Sequence, residues 1–132
     1  MKKTDLAYIA GIIDGEGTIS LSLNKRSYRI MVTVTNTNEW LIQRLKFMLG
    51  GNASPMAVPL GNNKPVWRWN IVSNDALEML KLVVPYLRLK RQHAELAIRF
   101  QESRRGHRMT GKERILAEAD KILIGKWNKR GR

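Results

Sequence analysis

The sequence predicts an α+β domain of element order α-β-β-α-β-β-α, with further helix behind it. Three observations carry this. Thr18–Leu23 and Tyr28–Thr35 each alternate apolar with polar residues around a short polar turn, which reads as a β-hairpin. A second pair of runs, Ala53–Val58 and Val66–Val72, surrounds a turn rich in Gly, Asn and Pro. Between and after these pairs the apolar residues recur at helical spacing. Two hairpins separated by helices predict one four-stranded antiparallel sheet with helices on one face.

The first helix starts near Thr4, an N-cap residue type with Asp5 in the first turn, and runs to about Ile13, where Gly15 and Gly17 stop it. Over Ile9–Ile13 it has no polar face, so burial all round is expected. In the first hairpin Ile19, Leu21 and Leu23 point inward with Tyr28, Ile30, Val32 and Val34. Asn38 caps a second helix, Glu39–Leu49, with Trp40, Leu41, Leu45, Met48 and Leu49 on its apolar face and Gly50-Gly51 at its end. Pro55 and Pro59 place the third strand at an edge. Trp67, Trp69 and Ile71 turn inward from the fourth. Ser73 or Asn74 caps a third helix carrying Leu77, Leu80 and Val84, and Pro85 ends it. A basic helix from Arg88 to about Ser103 carries Leu89, Ala94, Leu96, Ala97 and Phe100. Residues 1–103 form the main domain. Residues 104–132 add a basic linker, a helix from Thr110 through Ile115, Leu116, Ala119 and Leu123, and an unstructured tail from Lys126.

With 132 residues, no cysteine and two histidines, the chain has no disulfide framework, no thiolate site and no histidine-based zinc site. No apolar run reaches membrane-spanning length and no signal-peptide core is present, so a soluble intracellular protein is expected, in a bacterial or archaeal cytoplasm or an organelle matrix. The net charge of +13 points to a polyanion as partner. The excess is concentrated late: residues 86–132 hold fourteen Lys and Arg against five Asp and Glu. On the sheet face away from the helices lie Ser20, Ser22, Asn24, Arg29, Thr33, Arg68 and Asn70, with Lys25 and Arg26 in the adjoining turn. A twisted ribbon of that composition fits the DNA major groove, where strands can read base edges.

The segment Ile9-Ala10-Gly11-Ile12-Ile13-Asp14-Gly15-Glu16-Gly17 carries two acids among glycines at the end of an apolar helix, where charges need a partner or a metal. It resembles the LAGLIDADG motif, with Ile for Leu twice, Gly for the second Ala and Glu for the second Asp. The element order and Pro85-Tyr86-Leu87-Arg88-Leu89-Lys90, similar to a P-x-L-x-L-K segment of that family, extend the resemblance across roughly residues 4–103. The resemblance to LAGLIDADG homing endonucleases implies double-stranded DNA cut with 3′ overhangs by metal-dependent hydrolysis. It implies Glu16 as Mg²⁺ ligand and catalytic acid position, with Mn²⁺ or Ca²⁺ as substitutes for binding. The Gly15 carbonyl is expected as a further oxygen ligand. It gives Lys90 a charge-stabilising role, sets Asn36 near the attacking water, and gives Asp14 a structural role at the helix ends. One motif copy implies a homodimer packed through Ala10, Gly11, Asp14 and Gly15 on a two-fold axis, facing a pseudo-palindromic target. Two other readings stay open: a non-cleaving intron RNA maturase or DNA-binding regulator on the same scaffold, and a basic ribosome-associated or architectural protein. Intron RNA is the partner of the maturase reading.

Overall fold

The computed structural model describes residues 1–56, 64–104 and 108–130. The expected end of the third strand at Val58 and Pro59, most of the turn at Gly61-Asn62-Asn63, linker residues 105–107 and the last two tail residues lie outside the described residues. Helix α1 spans Lys3–Glu16, strands β1 and β2 span Gly17–Asn24 and Ser27–Asn36, and α2 spans Glu39–Leu49. Strands β3 (Asn52–Pro55) and β4 (Trp67–Val72) follow, then α3 (Ser73–Val83), a short 3₁₀ turn at Val84–Tyr86, α4 (Arg91–Ser103) and α5 (Gly111–Arg130). The strands form one antiparallel sheet of order β1-β2-β4-β3, with β3 at the expected edge.

Strand alternation sorts the sheet into two faces, as period-2 geometry requires. Ile19, Leu21, Tyr28, Ile30, Val32, Val34, Trp69 and Ile71 are buried under the helices. Leu6, Ile9, Ala10 and Ile13 of α1 complete the core with Ile42 and Leu45 of α2, Leu80 and Val83 of α3, and Ala94, Ala97 and Phe100 of α4. Fully buried Trp69 keeps its indole N–H satisfied by donating to the Gly50 carbonyl at 2.8 Å, one of the acceptors left open at the end of α2. Gly51 has φ +84° and passes so close to Asn70 that a Cβ would collide with the carbonyl oxygen, so glycine is required there.

Several sequence expectations are corrected. α1 begins at Lys3 with no side-chain cap and continues through Gly15 to Glu16; glycine weakens a helix by about 1 kcal/mol but does not stop one whose other residues are anchored in a core. Burial around α1 is one-sided: Ala7, Tyr8, Gly11 and Gly15 are exposed. On α2 Trp40 is exposed, and Ile42, absent from the expected face, is buried with Leu45. Ser73 has φ +53° and makes no capping bond; the cap position of α3 is Val72. α4 starts at Arg91, not Arg88, so Leu89 lies in the preceding turn and is exposed. α5 runs through the supposed tail to Arg130 and buries Ala117 and Ile124, leaving Ile115, Leu116 and Leu123 exposed. The tail is helical because Asn128 donates to the Ile19 carbonyl at 3.0 Å and Trp127 meets His93 edge-on at 5.4 Å. No helix among the described residues is long and apolar enough to cross a membrane.

His93 is buried, and desolvation, then the charge of Lys90, hold its pKa below the ordinary histidine value. A depressed imidazole is neutral in the fold but binds a proton readily once unfolded. Stability is therefore full above about pH 6.5, the unfolded value, and declines as pH falls below it. Urea melts at neutral and mildly acidic pH should show this loss, and His93→Gln should flatten it.

Candidate nucleic-acid interface and acidic site

The outward sheet face is built from cross-strand rows. Ser22 sits opposite Arg29, Ser20 opposite Met31, and Thr18 opposite Thr33, which in turn faces Asn70, and Asn70 faces Asn52. Thr35, Arg68 and Ser54 form the next row. No helix covers these residues, and Ser20, Ser22, Arg29, Thr33, Arg68 and Asn70 are half-exposed. The Nε atoms of Arg29 and Arg68 are buried against the sheet without a hydrogen-bond partner. Neither arginine has an ion-pair partner among the described residues. Their stems thus lie along the sheet while two cationic heads stand available beside Ser, Thr and Asn donors and acceptors. At one end of the face the turn to β2 holds Asn24, Lys25 (φ +59°) and Arg26, all exposed.

The two acids of the α1 terminus part company. Asp14 turns toward the start of α4: its carboxylate accepts the backbone N–H groups of Arg88 at 2.8 Å, Leu89 at 3.2 Å and Lys90 at 3.0 Å. Lys90 closes the loop by donating from Nζ to the Asp14 carbonyl at 2.8 Å. An anion against unsatisfied N–H groups at a helix start is favourable for both hydrogen bonding and the helix dipole. This pairing is why α4 begins three residues late, and why Lys90 is its N-cap residue and not a lysine within the helix. Asp14→Ala is expected to destabilise the fold by about 2–3 kcal/mol, the scale of a lost cap with charge-assisted bonds, at unchanged denaturant m-value.

Glu16 points the other way and is exposed. Asn36, the last residue of β2, donates from Nδ2 to Glu16 Oε2 at 2.9 Å. The Asn36 amide is oriented by Asn38, whose backbone N–H donates to Asn36 Oδ1 at 2.8 Å, while Asn38 Oδ1 accepts from Leu41 N as the cap of α2. A sequence-local cap thereby aims an amide at a carboxylate. Glu16 and Asn36 line a groove of about 600 Å³ with Tyr8, Gly11, Asn38 and Trp40. A second groove, of about 680 Å³, lies against Ala7, Gly11, Asp14, Tyr86 and Arg88. Gly11 and Ala7 belong to both, so the exposed ridge of α1 stands between two grooves. Along it Ala7, Gly11 and Gly15 recur every four residues on one helix face.

The sequence-derived site residues fall into two groups. Glu16 and Asn36 come together, as do Asp14 and Lys90, and Lys90 makes no hydrogen bond to Glu16 among the described residues. Ala10 is corrected: it is fully buried in its own protomer core, and Ala7 takes its place on the ridge. The expected list also missed Tyr8 and Trp40 at the groove and Asn38 behind Asn36; Asn38's cap signal was read, but not its second use.

For a metal, the end of α1 offers oxygen donors, the Glu16 carboxylate and the Gly15 carbonyl, since the Ile13 carbonyl accepts from Gly17 N–H and the Asp14 carbonyl from Lys90 Nζ. Such hard donors suit Mg²⁺ or Ca²⁺. No cluster of three His, Cys, Asp or Glu residues that could hold a metal forms among the described residues.

A bare polar sheet face backed by helices, with a carboxylate at the junction of helix and sheet, defines an α+β domain of the homing-endonuclease fold. The family model of the LAGLIDADG-like domain matches residues 3–82, and the chain belongs to that family. Among solved structures, I-CvuI in complex with the I-CreI target in the presence of Mg, its DNA not cleaved, superposes with a TM-score of 0.77 at 18% identity, over 95% of this chain and 82% of that one. I-CvuI with its own target in the presence of Ca gives 0.65 at 17% identity, over 95% of each chain. The archaeal intron-encoded I-Vdi141I bound to DNA gives 0.59 at 16% identity, over 97% of this chain and 99% of that one. No curated protein matches the chain.

Proposed function

We propose that the chain is a site-specific DNA endonuclease acting as a homodimer on a pseudo-palindromic duplex. The observation that carries this is an exposed carboxylate, Glu16, aimed by Asn36 and placed where the α1 ridge runs into the polar sheet face. The Glu16 carboxylate and the Gly15 carbonyl would hold the divalent ion, and a second copy would complete the donor set that one chain lacks. An ion held there would supply charge relief on the phosphodiester and a lowered pKa for a water nucleophile. Asn36 fixes the rotamer of Glu16 and excludes alternative poses. Lys90, tethered to the Asp14 carbonyl, adds positive charge near the helix end and acts through position. Asp14 locks the base of α1 to α4, so the two carboxylates have separate tasks.

The homodimer reading rests on the Ala7, Gly11 and Gly15 ridge, where the missing side chains allow a second backbone to come close. The sheet face then supplies Ser20, Ser22, Asn24, Lys25, Arg26, Arg29, Thr33, Arg68 and Asn70 to bases and phosphates of each half-site. I-CvuI and I-Vdi141I, which are similar to this chain, were solved in complex with DNA, which supports duplex DNA as the partner. The test is a supercoiled plasmid carrying the insertion site of the host gene, incubated with protein and Mg²⁺. Linear product with 3′ overhangs is expected. Binding without any cut, across Mg²⁺ and Mn²⁺, would sink the nuclease reading.

A further inference from the structure

A pocket of about 460 Å³ opens where the β1–β2 turn meets the start of α5, away from Glu16, and four arginines line it: Arg26, Arg104, Arg108 and Arg114. They come from three separate parts of the chain, so folding, not local sequence, brings the charges together. No carboxylate lines the pocket, and none of the four has an ion-pair partner among the described residues. Like charges gathered without a counter-charge oppose folding, unlike the single basic residues that cover a surface. Arg114 also lies in the first turns of α5, the end at which a helix dipole disfavours cations.

Arg114 and the walls of the pocket are held in place. Arg114 donates from Nη1 to the Arg26 carbonyl at 2.9 Å, and its guanidinium lies 5.4 Å from the ring centre of Tyr28. Tyr28 in turn donates to Glu118 Oε1 at 2.7 Å, which pins the hairpin end to α5. Thr110 and Glu113 exchange reciprocal bonds, Thr110 N to Glu113 Oε1 at 2.9 Å and Glu113 N to Thr110 Oγ1 at 3.2 Å, so the helix start beside the pocket is a closed capping box. A guanidinium fork held at Arg114 with three more arginines beside it, and no ion-pair partner for any of them among the described residues, matches a phosphate, whose oxygens accept pairs of N–H bonds.

We propose that this pocket is a sequence-independent site for a backbone phosphodiester of duplex DNA, outside the sheet's reading face. The assignment to DNA rests on the proposed DNA-binding function, because Arg26 belongs to the turn that ends the polar face and a duplex on that face leaves it there. The pocket anchors the flank of the target and contributes affinity without choosing bases.

The experiment is fluorescence anisotropy of the full chain with a labelled mixed-sequence duplex across a salt series, for wild type, R104A/R108A and R104K/R108K. Each phosphate contact contributes about 0.9 to the slope of log K against log salt, so loss of this one contact in R104A/R108A is expected to lower the slope by about 1 per bound chain and the lysine pair to restore most of it. Competition between unrelated duplexes should keep the same preference in all three proteins. Neutral methylphosphonates along the flank should weaken wild type at one position and leave R104A/R108A unaffected. An unchanged slope in R104A/R108A, with wild type binding normally, overturns the pocket alone. Wild type that fails to bind any duplex overturns the DNA reading together with it. Inorganic phosphate binding in the pocket with no methylphosphonate effect would make it a free-anion site, and a slope change seen only with double-stranded RNA would overturn the assignment to DNA.

Discussion

Glu16→Gln is expected to slow cleavage by at least about a thousandfold while duplex affinity stays within about twofold. In the proposed reaction an ion held by Glu16 would stabilise the transition state by several kcal/mol, and each 1.36 kcal/mol is a factor of about ten in rate. Glutamine keeps the shape of the side chain and still offers an oxygen to the Asn36 amide, 2.9 Å away in the native pair, so the local fold survives. What it removes is the negative charge. Single-turnover cleavage of a plasmid substrate, run beside anisotropy on the same duplex, separates these effects. Glu16→Asp should retain measurable cutting, because the carboxylate is kept and only its reach shortens. A glutamine variant cutting at the native rate would take Glu16 out of the metal site.

The second large effect is at Gly11. A Cβ placed there meets nothing within 4 Å in the protomer. Gly11→Leu should therefore leave the isolated chain as stable as before or stabilise α1 by up to about 1 kcal/mol. In a dimer seamed along the ridge, the same side chain pushes two backbones apart. Overpacking costs about 1–3 kcal/mol per site, and two-fold symmetry applies it twice. The dimer dissociation constant should rise by about a hundredfold or more, at about 1.4 kcal/mol per decade. Sedimentation equilibrium on both proteins, with a thermal melt to confirm folding, decides it. Leucine at this position with the native dimer constant would move the seam off α1.

The strands were legible from period-2 alternation: Ile30, Val32 and Val34 face inward in the sequence and in the fold, whereas Leu23, expected inward, is exposed at the hairpin end beyond the cover of the helices. The α2 boundaries were legible for a local reason, the Asn38 cap and the glycine pair that ends the helix. Where long-range contacts decide, the sequence was silent. Nothing near Arg88 announces that its backbone N–H will bond to a carboxylate 74 residues earlier, yet that bond sets the start of α4. The same applies to α5, whose apolar residues spread around the helix, so that packing against β1 and α4 and not periodicity chose Ala117 and Ile124 as the buried pair. At the acidic site the residue types were visible in the motif, but the divergence of Asp14 from Glu16 depends on helix-end geometry. The arginine pocket was visible only as an excess of late positive charge, since its members are far apart in the chain.

The two-faced sheet has an evolutionary consequence. Residues that hold the core and residues that face outward alternate along every strand, so a lineage can exchange Ser20, Arg29, Thr33 or Arg68 with little effect on stability. Drift to a new target is thus open without passing through unfolded intermediates. The cross-strand rows set its grain. Changes within one row, such as Thr35 with Arg68 and Ser54, touch and should be epistatic, whereas changes in rows further apart should combine freely. Selection can then move along the face row by row, keeping a stable scaffold as the reading surface turns over.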